Sequence, residues 1–265
     1  MKIKKFVSAT AIFLLYFVTF FSGTISAQDS THFWTNRTAF TMSSQQVRWA
    51  LFQSSAYGIN DCIEISAHPL LFFIMPHAKI KIKIREVNRV YFASEHAFEF
   101  PTLFLNSLRN KGAGGFISPQ FTIPVMFSFY NGIVLSKPFS EKLLMSAKTG
   151  VDFSINRKGL DRNSTIDLPV IFPRMSVYYN QFIINTGFDI CGKIYKSLGY
   201  YIATDQYFAF RTQQNFFIEN NLLFTLTRKD RIRFEFGTKL CYGRYPFGNQ
   251  WHLLPVINVQ FGKKN

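Results

Sequence analysis

Acidic residues are scarce in this chain: 15 Asp and Glu stand against 30 Lys and Arg, a formal net charge of +15 over 265 residues. Cysteine is scarcer still. Cys62, Cys191 and Cys241 are an odd number, far apart and without metal-ligand spacing, which excludes a disulfide framework or a cysteine metal centre as the organising element. No dinucleotide or phosphate-loop signature is present. Gly112-Ala113-Gly114-Gly115 lacks the Lys-Ser/Thr that a phosphate loop needs, and reads as a flexible loop. Beyond residue 27 no apolar run approaches the ~20 residues of a membrane helix. Phe72-Phe73-Ile74-Met75 is short and bracketed by Pro69 and Pro76. Phe, Tyr and Trp, by contrast, make up 18% of the chain.

The first 27 residues have three parts. Met1-Lys2-Ile3-Lys4-Lys5 is cationic, Phe6 to Phe21 is mostly apolar, and Ser22 to Ala27 is small and polar. This is the layout of a cleaved export signal. The competing reading, an anchoring helix, suffers from Ser8, Thr10 and Thr19 and from the short run. Residues 28–43 read as a periplasmic lead-in, and 44–265 as one domain without linker or sequence repeat. An export signal points away from the cytoplasm, so the basic excess is not read as nucleic-acid binding.

Lys79-Ile80-Lys81-Ile82-Lys83-Ile84-Arg85 alternates with period two, which in an extended strand puts cations on one face and Ile on the other. Related alternation recurs over candidate strands 44–53, 61–73, 77–87, 89–99, 118–130, 141–155, 168–180, 182–194, 199–211, 214–227, 230–243 and 250–262. At ~20 residues per strand and turn, the length predicts a closed antiparallel transmembrane β-barrel of about 10–12 strands, 12 preferred. The fold class is all-β. Large aromatic faces with few helices to cover them favour closure in lipid, which removes open edges. A secreted, lipid-binding, calycin-like barrel needs the reverse orientation, with Ile80, Ile82 and Ile84 inside.

Turn lengths set direction. Thr227 to Arg231 and Tyr195 to Gly199 are short, as periplasmic turns are, whereas Gly243 to Gln250 reads as a longer outer loop. Counting back from a periplasmic C-terminus is consistent as far as residue 182. Before that, the polar connections 100–117 and 156–167 fall on the periplasmic side. Their length is at odds with this unless strands within 44–99 and 168–194 are divided wrongly.

The signal, the period-two strands across 44–262 and the aromatic last strand from Trp251 to Phe261 resemble the outer-membrane β-barrel proteins of Gram-negative bacteria. Gly262-Lys263-Lys264-Asn265 departs from the terminal aromatic common in that class. The resemblance implies location in the outer membrane, contact with its lipids, and insertion by the barrel-assembly machinery. Small solutes are possible cargo.

Some barrels of that class are lipid hydrolases, so His is of interest as a base. His68 lies near Ser66, and His96 follows Ser94 and Glu95, but neither fits the His-x-Ser-Asn-Gly pattern of the outer-membrane phospholipases. Interface or lumen roles explain His32, His68, His77, His96 and His252 better, and no catalytic residue, cofactor or metal is expected. What remains is the interior face. The basic ladder Lys79, Lys81, Lys83 and Arg85 is joined there by Lys142, Lys148, Lys193, Arg211, Arg231, Arg233 and Lys239. Asp152, Asp189, Asp205, Glu219 and Glu235 are interspersed. This predicts either a narrow, weakly anion-preferring pore or a structural barrel filled by mutually neutralising charges.

Overall fold

The alternation of cations and isoleucines from Lys79 becomes extended backbone, and its neighbours follow the same rule. The computed structural model describes residues 34–263 apart from 112–115, 157–159, 162–163, 165 and 167. The expected signal, 1–27, lies outside the described residues. Among the described residues the strands are β1 (Val47–Ala50), β2 (Ser55–Asn60), β3 (Ile63–Ala67), β4 (His77–Val87) and β5 (Val90–Glu99). They continue as β6 (Met126–Ser140), β7 (Leu143–Asn156), β8 (Phe182–Tyr195), β9 (Leu198–Ala209), β10 (Phe216–Arg228), β11 (Ile232–Tyr245) and β12 (Gly248–Lys263). Helix α1 (Thr102–Ser107) follows β5, and helix α2 (Phe172–Asn180) follows β7. No helix among the described residues is long and apolar enough to cross a membrane.

Each strand pairs antiparallel with the next, and β1 pairs with β12, Val47 opposite Lys263, so the sheet closes into a barrel of twelve strands. Closure decides which face looks out. Ile80, Ile82, Ile84, Phe224, Phe234, Phe236, Trp251, Leu253 and Ile257 are exposed on the outside. Lys81, Glu95, Asp189, Asp205 and Glu219 are buried inside. The calycin-like orientation, with the isoleucines inward, is contradicted.

The number of strands agrees with expectation through two compensating errors. Segment 168–180 is not a strand. Pro173 pre-sets the first turn of α2, and Gln181 ends it in the left-handed region at φ 62. Phe172, Met175, Val177 and Tyr178 are buried around nearly the whole helix. A helix buried on all sides lacks one apolar stripe, so in a short window its pattern is hard to tell from a strand's. The missing strand is β2. Candidates 44–53 and 61–73 are in fact three short strands with a turn at 51–54, and Leu71–Phe73 is a single 3-10 turn. β2 has weak alternation because Gly58 serves another purpose. A Cβ there would lie 2.1 Å from the carbonyl oxygen of Ser43, which crosses over it. Candidate 118–130 also shifts: β6 starts after Pro124 and runs on through Gly132 and Pro138.

These corrections resolve the misplaced connections. The long segments 100–125 and 157–181 both emerge at the end opposite the chain termini. The turns at the terminal end are all short: 61–62, 88–89, 141–142, 196–197 and 229–231. The expected long loop at Gly243–Gln250 is instead a tight turn at 246–247, on the long-loop end.

The wall is uneven. β12 meets β1 only over Gln260–Lys263, with two further bonds beyond β1, from the Leu51 N–H to the Val259 carbonyl and from the Phe52 N–H to Asn258 Oδ1. From Gly248 to Asn258 its other edge has no strand beside it among the described residues. The Gly262 N–H points to Arg231 in the β11 direction, so odd-numbered residues of β12 face the open edge. Pro255 is one of these, and its missing N–H forfeits no ladder bond.

Candidate functional site

The interior is occupied from both ends. From the short-turn end, residues 34–46 enter the barrel as a strap before β1 begins. The stretch expected as a lead-in outside the barrel therefore lies within it over 34–43. Arg37, at the strap's deepest point, donates from Nε and Nη2 to Asp189 Oδ1 at 3.0 and 2.7 Å. Its Nη1 and Nη2 donate to Asp205 Oδ2 and Oδ1, both at 2.8 Å. The Ala39 N–H donates to Ser136 Oγ at 2.8 Å, and the Met42 N–H to Glu64 Oε2 at 3.0 Å. Lys81 Nζ donates to the carbonyls of Thr35 (2.7 Å) and Phe40 (3.1 Å) and to Glu64 Oε1 (3.3 Å). Strands β3, β4, β6, β8 and β9 thus all grip the strap.

From the long-loop end the two long connections fold inward. Met175, Val177 and Tyr178 of α2 join Leu105 of α1, Ile117, Ile123 and Leu160 of the loops, and the inward-facing Met126, Ile183 and Ala209 in one apolar cluster. Arg174 ties α2 to β10 through Glu219, at 2.5 Å to Oε1 and 2.9 Å to Oε2. Tyr178 Oη lies 2.8 Å from Ser128 Oγ on β6. Gly132 and Gly150 face inward and leave room for the Tyr130 ring, which lies within 2.5 Å of where a Cβ on either would stand.

The basic ladder is split by this arrangement. Lys79 Nζ pairs with Glu95 Oε1 at 3.0 Å, and Lys81 is fully buried against Glu64. Lys83 faces Ala93 at the exposed rim. Arg85 does not face inward. The β4–β5 register slips between Lys83 and Arg85, so Arg85 stands opposite Phe92 on the outer face, its guanidinium 5.6 Å from that ring. A bulge turns every later residue to the other face.

Of the other expected interior groups, Lys148 pairs with Asp205 at 2.7 Å, Lys239 with Glu219 at 2.9 Å and Arg233 with Glu235 at 3.2 Å. Asp152 accepts from Asn185 at 2.8 Å, and Asp189 from Arg37. Lys142 and Arg231 are exposed in short turns, Lys193 is exposed at the rim, and Arg211 lies in the β9–β10 loop bonded to Gln181. These four are corrections, because each sits where the strand ends and the interior does. Sequence reasoning passed over Arg37, Arg48 and Arg174. Arg48 is buried on β1, and the other two lie outside any strand, where period-two analysis has nothing to say.

Two cavities remain beside the strap. One of about 370 Å³ opens at the short-turn end between Trp34, Phe40, Lys193 and Arg233. A 60 Å³ space lies deeper, against Arg37, Asp189, Tyr201 and Glu235. No cluster able to hold a metal ion occurs among the described residues. His96 contacts Asn131 on the outer face at 2.8 Å, and His68 accepts from the Leu71 N–H at 3.2 Å. Neither is joined to a Ser or Thr hydroxyl among the described residues. His32 lies outside the described residues.

No family model matches this chain, and no curated protein matches it. Among solved structures it is similar to the NanC porin, with a TM-score of 0.50 and 11% identity over 82% of this chain and 99% of that one. It is also similar to the outer membrane channel DcaP of Acinetobacter baumannii, with a TM-score of 0.41 and 9% identity, covering 82% and 62% of the two chains. The first of these likenesses is one of fold: a closed antiparallel barrel of porin type.

Proposed function

We propose that this chain is an outer-membrane barrel whose passage is closed, in this state, by its own strap and inward-folded loops. The observation that carries the reading is Arg37, held by four hydrogen bonds between Asp189 and Asp205 while strand side chains from across the barrel grip the strap's backbone. The outward apolar face supports membrane insertion, since a lipid environment has no water to solvate an open sheet but tolerates a closed one. The interior cations are matched by acids on neighbouring strands. A passing anion therefore meets little uncompensated charge, and the pore, once open, is weakly selective.

Conductance in planar bilayers tests this. The full mature chain is expected to be silent, and a chain lacking residues 28–43 to show opening events with a reversal potential close to zero in a salt gradient. Steady conductance by the intact chain overturns the closed state. Silence of the truncated chain, once shown to be folded, overturns the strap as the gate and leaves the inward-folded loops as the closure.

A further inference from the structure

Cations of this barrel fall into two groups. Inside, Arg37, Lys79, Lys81, Lys148, Arg174, Arg233 and Lys239 are paired with acids. At the short-turn rim, beside Lys83, Lys193 and Arg231, six more make no ion pair among the described residues and are exposed: Arg85, Lys142, Lys196, Arg228, Lys229 and Lys263. They come from β4, from three successive short turns, from the end of β10 and from β12.

Their position along the outer wall is regular. Exposed Ile84 precedes Arg85, Ile194 and Tyr195 precede Lys196, Leu226 lies just before Arg228, and Phe261 just before Lys263. On β4, β8, β10 and β12 a cation thus stands beside the outward apolar residues nearest the rim. Two rim cations lie over outer or rim aromatics: Arg85 over Phe92 at 5.6 Å and Lys196 over Tyr195 at 5.0 Å. An aromatic with a cation at the end of an apolar face is the arrangement that suits the headgroup layer, where the ring meets the acyl boundary and the charge meets phosphate. The acids at this rim, Asp61, Glu86, Glu141 and Asp230, are fewer than its cations.

We infer that the short-turn rim is a collar that binds the anionic headgroups of phospholipids in the adjoining leaflet. The inference rests on the reading of the chain as a membrane barrel. Juxtamembrane cations each strengthen contact with an anionic surface by roughly fivefold, so two sharing one headgroup give an enrichment of at least ~10-fold.

The test is lipid retention. The full chain is placed in nanodiscs of equal phosphatidylcholine and phosphatidylglycerol, and the lipids that stay bound on release are counted by native mass spectrometry. Phosphatidylglycerol is expected to be retained at least ~10-fold over phosphatidylcholine at low salt, approaching parity near 1 M salt, where the screening length is about 3 Å. The combined variant Arg85→Gln, Lys142→Gln, Lys196→Gln, Arg228→Gln, Lys229→Gln and Lys263→Gln is expected to lose the preference while keeping the heat-dependent gel shift of a folded barrel. Should it not fold, two triple variants are used, Arg85/Lys142/Lys263→Gln and Lys196/Arg228/Lys229→Gln, and each is expected to lose part of the preference. Equal retention by the unaltered chain, or undiminished preference in the variants, overturns the collar. Failure to insert into either lipid overturns the membrane reading with it, whereas insertion without preference overturns the collar alone.

Discussion

Arg37 concentrates the consequences of this interior in one side chain. It neutralises two carboxylates that are themselves almost fully buried, though its own side chain keeps about a fifth of its exposure. Removing one partner of a buried ion pair leaves the other charge uncompensated. Arg37→Ala is expected to cost on the order of 3 kcal/mol, the low end of the range for buried pairs, because Lys148 still serves Asp205. Urea unfolding of the refolded barrel measures this. A change below ~0.5 kcal/mol, the size expected of a surface substitution, would show that the strap is not clamped there. Arg37→Lys should recover only part of the loss, since an ammonium cannot reach two carboxylates as a planar fork does. Nothing in the local sequence marked Arg37, because its partners lie more than 150 residues away. Lys79 and Lys81, by contrast, were legible from alternation alone. Arg85 was misread because one inserted residue, Ile84, breaks the register without breaking the written pattern.

At the scale of elements, the strand that best shows its surroundings is β12. Its clean alternation from Trp251 to Phe261 made it easy to recognise, but proline within it argues for an edge. The structure agrees, with Pro255 on the open side and Val256 directed at β11. Pro255→Ala is therefore expected to change unfolding free energy by less than ~0.5 kcal/mol, as for a surface substitution. Val256→Pro should cost about 3 kcal/mol or more, because it removes a ladder bond and clashes. Similar losses for both, in the same urea assay, would mean that the upper edge of β12 is paired. α2 shows the opposite failure of legibility. Its apolar residues face loops, β6, β8 and β9 all at once, so its periodicity carries no single direction.

For the whole molecule, strand parity has a consequence that no single segment has. Replacing one expected strand by a helix and adding β2 keeps twelve strands but moves both long connections to the end opposite the termini. In the proposed outer-membrane barrel that end is expected to face outward, as long loops do. Trypsin added to intact cells making this protein is expected to cut at Lys111 in the β5–β6 connection and to spare Lys142, Lys196 and Lys229, with fragments identified by mass. The reverse pattern would invert the barrel. The sequence by itself determined the class of fold, the apolar outer face and the short turns at 196–197 and 229–231, because period two and turn chemistry are local. Only the tertiary structure decided what fills the barrel. The strap, the inward helix and the pairing of interior charges depend on contacts between residues far apart in the chain. A one-residue bulge or a helix hidden among strands changes those contacts while leaving local composition almost as it was.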